Sequence, residues 1–296
     1  MSRTHSHHHG VANHGVANHG FGDDAEDHAV LAEMLDLDAQ VITGYLGDVT
    51  TSVFDRAADR PIGRILDLGA GTGNGALALA ARFGAAEVIA VDQSAEMLAR
   101  LEAKAVESGL ADRVRTVAAD LDTAWPAVGA VDLVWTSMAL HHLADPDAAL
   151  RQIFAAIRAG GLLAVAEMTA PVSFLPDVIG IGRPGLAARC QDAFSGHAAA
   201  AMPHLGSDWG PRLAQAGFTS VERQDYRIEL DGPLPAAAGR YAQLSLRHAM
   251  THLDSLSADD LATLKVLTDD EGPDSVLRRQ DLVIRGARTL WTAERP

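Results

Sequence analysis

The chain has 296 residues, and its 39 Asp and Glu outnumber its 24 Lys and Arg to leave a formal net charge of -15. Hydrophobic residues make up 48% and charged residues 21%, which excludes wholesale disorder and a fibrous architecture, and the acidic excess without a long Lys/Arg cluster disfavours DNA or RNA as a partner. A single cysteine, Cys190, excludes an intrachain disulfide, a thiolate metal cage and dithiol redox chemistry, and suits a reducing cytosol.

Residues 1–22 read as a disordered tail: six histidines fall between His5 and His19, and Gly-Val-Ala-Asn-His repeats from Gly10 to His19. Too few large apolar residues are present to offset ordering entropy. Free imidazoles can bind Zn, Ni or Cu, but a flexible tail supplies no fixed geometry. The start lacks the basic patch and apolar run of a secretory signal. No apolar stretch reaches the roughly 18 residues of a bilayer span, because Glu167 and Asp177 interrupt Leu162–Gly182. A cytoplasmic protein without a membrane partner is expected.

Residues 23–60 predict two amphipathic helices from apolar residues at mixed three-and-four spacing, Val30 to Leu46, expected to form part of a lid over the sheet. Residues 61–168 then alternate short apolar β runs with helical stretches, the pattern of a parallel sheet covered on both faces. The strands are Ile65–Leu68, Val88–Val91, Val114–Ala118, Val131–Thr136 and Leu162–Ala166, and the helices are Gly75–Phe83, Ala95–Ser108 and Asp147–Ile157. Residues 169–206, rich in Pro, Gly and Ala without periodicity, read as a lid insertion. Residues 207–296 predict a helix at Trp209–Ala216, a strand at Val221–Leu230, helices within 236–267 and a last, antiparallel strand at Asp281–Ala293. The expected fold is α/β, a doubly wound, Rossmann-like seven-stranded sheet with a helical lid.

The strand Ile65-Leu66-Asp67-Leu68 runs into Gly69-Ala70-Gly71-Thr72-Gly73 and then a helix. Glycines admit positive φ and close approach of a ligand to backbone, and the helix start offers unpaired N–H groups. Asp92 ends the second strand about 20 residues on, at the carboxyl edge of the sheet, where a carboxylate suits a ribose diol. The other role open to Asp92 is a helix N-cap, for which Ser94 competes. Asp120 ends the third strand at the same edge, placed to accept from an exocyclic amine.

Taken in order, Asp67–Gly73, Val91-Asp92-Gln93-Ser94 with Met97, Ala119-Asp120-Leu121, Ser137–Leu143 and Ile157–Met168 resemble the motifs of the class I S-adenosylmethionine-dependent methyltransferases. The resemblance covers roughly residues 63–168. It implies that Gly69, Ala70 and Gly71 lie along the methionine moiety, that Asp67 orders its amino end, and that Asp92 holds both ribose hydroxyls. Gln93 and Met97 would sandwich the adenine, and Asp120 with the Leu121 backbone would read its amino edge. Thr136, ending the fourth strand, joins the cofactor contacts, and Tyr45 of the N-terminal helices would close over the carboxylate.

An acidic residue such as Asp67 beside the loop disfavours a pyrophosphate and tolerates a zwitterionic tail with a sulfonium. Gly71-Thr72-Gly73-Asn74-Gly75-Ala76 formally fits G-x-G-x-x-A, so a dehydrogenase remains a reading. The expected activity is methyl transfer to O, N or C of a small molecule, releasing S-adenosylhomocysteine, by a cytoplasmic enzyme whose oligomeric state is open. Aminocarboxypropyl transfer or cyclisation, a non-catalytic cofactor-binding module and a metal-carrying His tail are the other readings. His141-His142 supply the candidate general base, with packing or a helix-start role as the alternative. Glu167 either binds a cationic substrate or caps a turn. His248 and His252, spaced i,i+4, lack an evident third metal ligand, and no metal is expected. His197 and His204 fall in the lid. Trp125, Trp135, Trp209 and Phe218 read as core, and Cys190 as a small buried hydrophobe.

Overall fold

The computed structural model describes residues 25–58 and 60–296. The His-rich tail lies outside the described residues, and so does the side chain of His252, hence the His248/His252 pair.

Seven strands form one sheet in the order β3-β2-β1-β4-β5-β7-β6. They are β1 (Arg64–Leu68), β2 (Glu87–Asp92), β3 (Val114–Ala118), β4 (Val131–Ser137), β5 (Ile157–Ser173), β6 (Thr219–Leu230) and β7 (Ile284–Glu294). The helices are α1 (Ala25–Val41), α2 (Thr43–Arg56), α3 (Asn74–Arg82), α4 (Ala95–Glu107), α5 (Pro146–Ala156), α6 (Leu186–Ala201), α7 (Trp209–Gln215), α8 (Ala238–His252) and α9 (Ala258–Leu267). β1 to β5 pair parallel, and β7 inserts antiparallel between β5 and β6. The strand order reverses between β1 and β4, and ligands of open α/β sheets bind at that reversal, outside the carboxyl ends of the strands.

The period of two along each strand distributes the apolar residues between two cores. Ile65, Val88, Ala90, Leu133 and Trp135 join the core under α2, α3, α4 and α8, whereas Leu66, Ile89, Val91, Val134 and Leu163 join the one under α5 and α7. Helix starts follow local chemistry: Ser94 accepts from the Met97 N–H to cap α4, and Asp145 accepts from the Ala148 N–H ahead of Pro146 to cap α5.

The structure departs from the sequence expectation in two elements. β5 runs on to Ser173 because its distal half pairs with β7, Met168 opposite Arg288, Ala170 opposite Ala287 and Ser173 opposite Arg285. Within 169–206, α6 forms over Leu186–Ala201; its alanines favour a helix but leave no apolar stripe to betray one.

Candidate active site

The sheet edge gathers the site. β1 delivers Asp67 and then Gly69 to Gly73, and the turn is built around backbone that side chains would obstruct. At Gly69, with φ +71, a Cβ would overlap that of Ala139; at Gly73, with φ +84, it would overlap Leu101. Gly73 is the N-cap residue of α3, so the first N–H groups of that helix open toward a cavity lined by Gly71, Thr72, Asn74 and Gly75.

Asp92, at the end of β2, accepts from Gly71 N–H at 2.8 Å and from Ser94 N–H at 2.9 Å, which fixes its carboxylate against the glycine turn. Ser94 takes the cap position of α4. Asp120 accepts from Asp122 N–H at 3.0 Å. Gln93, Met97, Asp120 and Leu121 line the same cavity as Asp92, and so do Asp67, Gly69, Ala70, Gly71 and Tyr45.

Asp67 is 2% exposed, and its Oδ2 has no hydrogen-bond partner. Burial, reinforced by the charge of Asp92 and opposed by the Ala76 N–H, pushes its carboxyl up to about 8. Burial likewise raises Asp92. Two carboxyls at one sheet edge, one with an unanswered oxygen, make a site for a cation or a hydrogen-bond donor.

Of the histidine pair, His142 lines the cavity and His141 does not. The buried His141 ring places Nδ1 2.5 Å from Glu167 Oε2, while Glu167 Oε1 accepts from Leu140 N–H at 3.0 Å. Glu167 therefore caps the 3-10 turn Leu140–His142 instead of meeting a substrate. The His141 and His142 rings are in contact, 4.0 Å between centroids and tilted 43° to each other. Thr136 is fully buried and off the cavity wall; the wall takes its neighbours Trp135, Ser137 and Met138.

Sequence reasoning expected the N-terminal helices as a lid but named only Tyr45 among their wall residues, and it missed the far wall. Leu31, Leu35, Asp38 and Ala39 of α1, Ile42 and Leu46 line the cavity, and Arg288 of β7 closes it. α1 is tied to the glycine turn by Asp36, whose Oδ1 accepts from Thr72 Oγ1 at 2.6 Å and from Lys104 Nζ at 2.7 Å, and by Asn74 Nδ2 donating to Leu35 O at 3.0 Å. The amphipathic pattern of the first helices marked them as a cover, whereas no local signal marks Arg288. His197, His204 and Cys190 lie off the wall. Burial, with the charge of Asp260, pushes the Cys190 thiol up to about 11, outside nucleophilic range. Trp125, Trp209 and Phe218 pack in the core of the α5 and α7 face. No group of three or more metal-ligating side chains occurs among the described residues.

The family model described as "Methyltransferase domain" matches residues 65–161, the span from β1 to the first residues of β5. Over residues 65–161 the chain carries a methyltransferase domain. It is 33% identical over 177 residues to a malonyl-[acyl-carrier protein] O-methyltransferase of Laribacter hongkongensis, covering 56% of this chain and 54% of the relative. It is 31% identical over 135 residues to a trans-aconitate 2-methyltransferase of Variovorax paradoxus, covering 45% and 50%. The chain thus spans about half the length of the curated relatives it matches. The fold aligns with the crystal structure of the YcgJ protein from Bacillus subtilis at a TM-score of 0.53 and 18% identity, covering 84% of this chain and 99% of that one. Among the described residues of this methyltransferase-domain protein, no helix is long and apolar enough to cross a membrane.

Proposed function

We propose that the protein binds S-adenosylmethionine in this cavity and transfers its methyl group to O, N or C of a small-molecule acceptor, releasing S-adenosylhomocysteine. The observation that carries the reading is the unpartnered, buried oxygen of Asp67 on the wall of a glycine-lined cavity that also holds Asp92 and Asp120. These residues fit that molecule: Asp67 answers an ammonium, the bare backbone of Gly69 to Gly71 gives room for the amino-acid tail, Asp92 answers a vicinal diol and Asp120 an exocyclic amine. Trans-aconitate, a small molecule, is what one relative acts on by name, which supports a small-molecule acceptor; the other acts by name on a malonyl group carried on a protein.

When bound, the cofactor supplies a methyl carbon on a cationic sulfur, a group whose transfer needs alignment and exclusion of water more than acid–base assistance. Holding both reactants in line is worth up to about 7–11 kcal/mol. The chain does this with α1 as roof, the glycine turn and Asp92 as floor, and His142 on the wall beyond β4. His142, braced through the His141 ring and Glu167, takes the acceptor's proton where one must leave.

Incubation with methyl-labelled cofactor and a panel of small acceptors tests the reading. Label in the acceptor together with one equivalent of S-adenosylhomocysteine supports it; label retained in a released methylthio nucleoside would mean transfer of the aminocarboxypropyl arm instead.

A further inference from the structure

Arg288 is the only cationic Arg or Lys lining the cavity among the described residues, on a wall otherwise carrying Asp38, Asp67, Asp92, Asp120 and Asp122. It is 8% exposed, and its Nη2 donates to Asp38 Oδ1 at 2.6 Å. Asp38 also accepts from Tyr241 Oη at 2.7 Å. That single bond uses one of the five N–H groups of the guanidinium fork. The guanidinium carbon lies 4.7 Å from the centroid of the Tyr45 ring. Tyr45 is 9% exposed, and its hydroxyl is buried without a hydrogen-bond partner. Burial pushes that phenol up to about 12, so it stays a donor at neutral pH. A buried cation with N–H groups to spare, beside a buried hydroxyl whose own O–H finds no acceptor in the protein, calls for an anionic acceptor of hydrogen bonds.

Position decides which anion. Arg288 pairs with Met168, just past Ala166, the last β5 residue paired with β4. β7 lies three strands from β1, which carries Asp67 and the glycine turn, a lateral distance of roughly 14 Å at the usual strand spacing of about 4.8 Å. The carboxylates suited to ribose and adenine follow β2 and β3, on the other side of β1. A methyl donor laid from β3 toward β1 presents its reacting carbon toward β4, and the space from His142 on to Arg288 belongs to the acceptor.

We propose that Arg288 and Tyr45 form an acceptor subsite for a carboxylate, so that the methyl acceptor is a small carboxylate-bearing molecule anchored between the guanidinium fork and the Tyr45 hydroxyl. The inference rests on the methyltransferase reading above, and it moves Tyr45 from the cofactor's carboxylate to the acceptor's.

The test is calorimetry on the full chain saturated with S-adenosylhomocysteine, titrated with benzoate, cinnamate and malonate and with the amide of each. Binding of S-adenosylhomocysteine itself is measured first, so that its failure sinks the methyltransferase reading separately. At least one carboxylate is expected to bind 10-fold or more tightly than its amide, and Tyr45→Phe and Arg288→Lys are expected to remove that preference while changing S-adenosylhomocysteine affinity less than 2-fold. Tyr45→Phe deletes only the hydroxyl, and Arg288→Lys keeps the charge facing Asp38, so both variants are expected to fold. The proposal is overturned if no carboxylate outperforms its amide, or if the preference survives in both variants. It is equally overturned if the variants weaken S-adenosylhomocysteine but not 5′-methylthioadenosine, which lacks the amino-acid carboxylate, for the subsite would then read the cofactor.

Discussion

Single carboxyls and imidazoles of the site behave differently because their surroundings differ. The Asp67 carboxyl, ordinarily near 3.8, is held up to about 8 by burial. A carboxyl raised in the folded state contributes stability that is present at acid pH and is lost as pH rises toward that value. The ligand-free protein is therefore expected to lose several kcal/mol between about pH 4 and 8, and Asp67→Asn to flatten that slope in thermal unfolding. A bound ammonium favours the carboxylate, so cofactor binding below pH 8 releases a proton. Titration of S-adenosylhomocysteine at pH 6.5 in buffers of different ionisation heat is expected to show this release in the native chain and not in Asp67→Asn. Equal proton release in both, or none in the native chain, would contradict the assignment.

The two histidines are expected to separate. His142→Ala should lower turnover of a proton-losing acceptor by about 10²-fold or more with S-adenosylhomocysteine affinity intact. His141→Ala instead strands a buried Glu167 oxygen and is expected to lower stability by on the order of 3 kcal/mol, read by denaturant unfolding. The sequence places both in one dipeptide and cannot say which faces the cavity; the cap that Glu167 gives to Leu140 decides it, and that pairing is remote in sequence.

Among the elements, α1 is held over the site by polar ties at Asp36, by Glu33 with Arg240 at 2.7 Å and by Asp38 with Arg288, and by apolar packing of Leu31 and Ala32 on Met97. Asp36→Ala removes the tie to the glycine turn while the packing remains. Its expected result is faster proteolytic cleavage within α1, measured by limited digestion, and about 10-fold weaker S-adenosylhomocysteine binding, equivalent to about 1.4 kcal/mol. Unchanged cleavage and affinity would show that the Asp36 tie is dispensable and that packing with the remaining polar ties seats the helix. The strands from β1 to β4 were legible to within a residue or two because each is a short apolar run bounded by turn residues. The distal half of β5 was not, since its pairing with β7 and not its own pattern makes it a strand, and α6 was not, since alanines carry propensity without periodicity.

For the whole molecule, the alternation of strand and helix exposed the doubly wound sheet and, with it, the edge where Asp67, Asp92 and Asp120 meet. The far wall was hidden because Arg288 sits more than a hundred residues beyond the last motif and reaches the cavity only through the antiparallel insertion of β7 beside β5. Motif spacing reports the cofactor side of such a fold, and the acceptor side is assembled by topology. The most direct test is a calorimetric titration of S-adenosylhomocysteine into the native chain and into Asp92→Ala, with thermal midpoints confirming that both are folded. The expected result is one molecule bound per chain, weakened by about 10²- to 10⁴-fold in the variant as two charge-assisted hydrogen bonds of about 1.5–3 kcal/mol each are lost. No binding to the folded native chain, or equal affinity in the variant, would contradict the account.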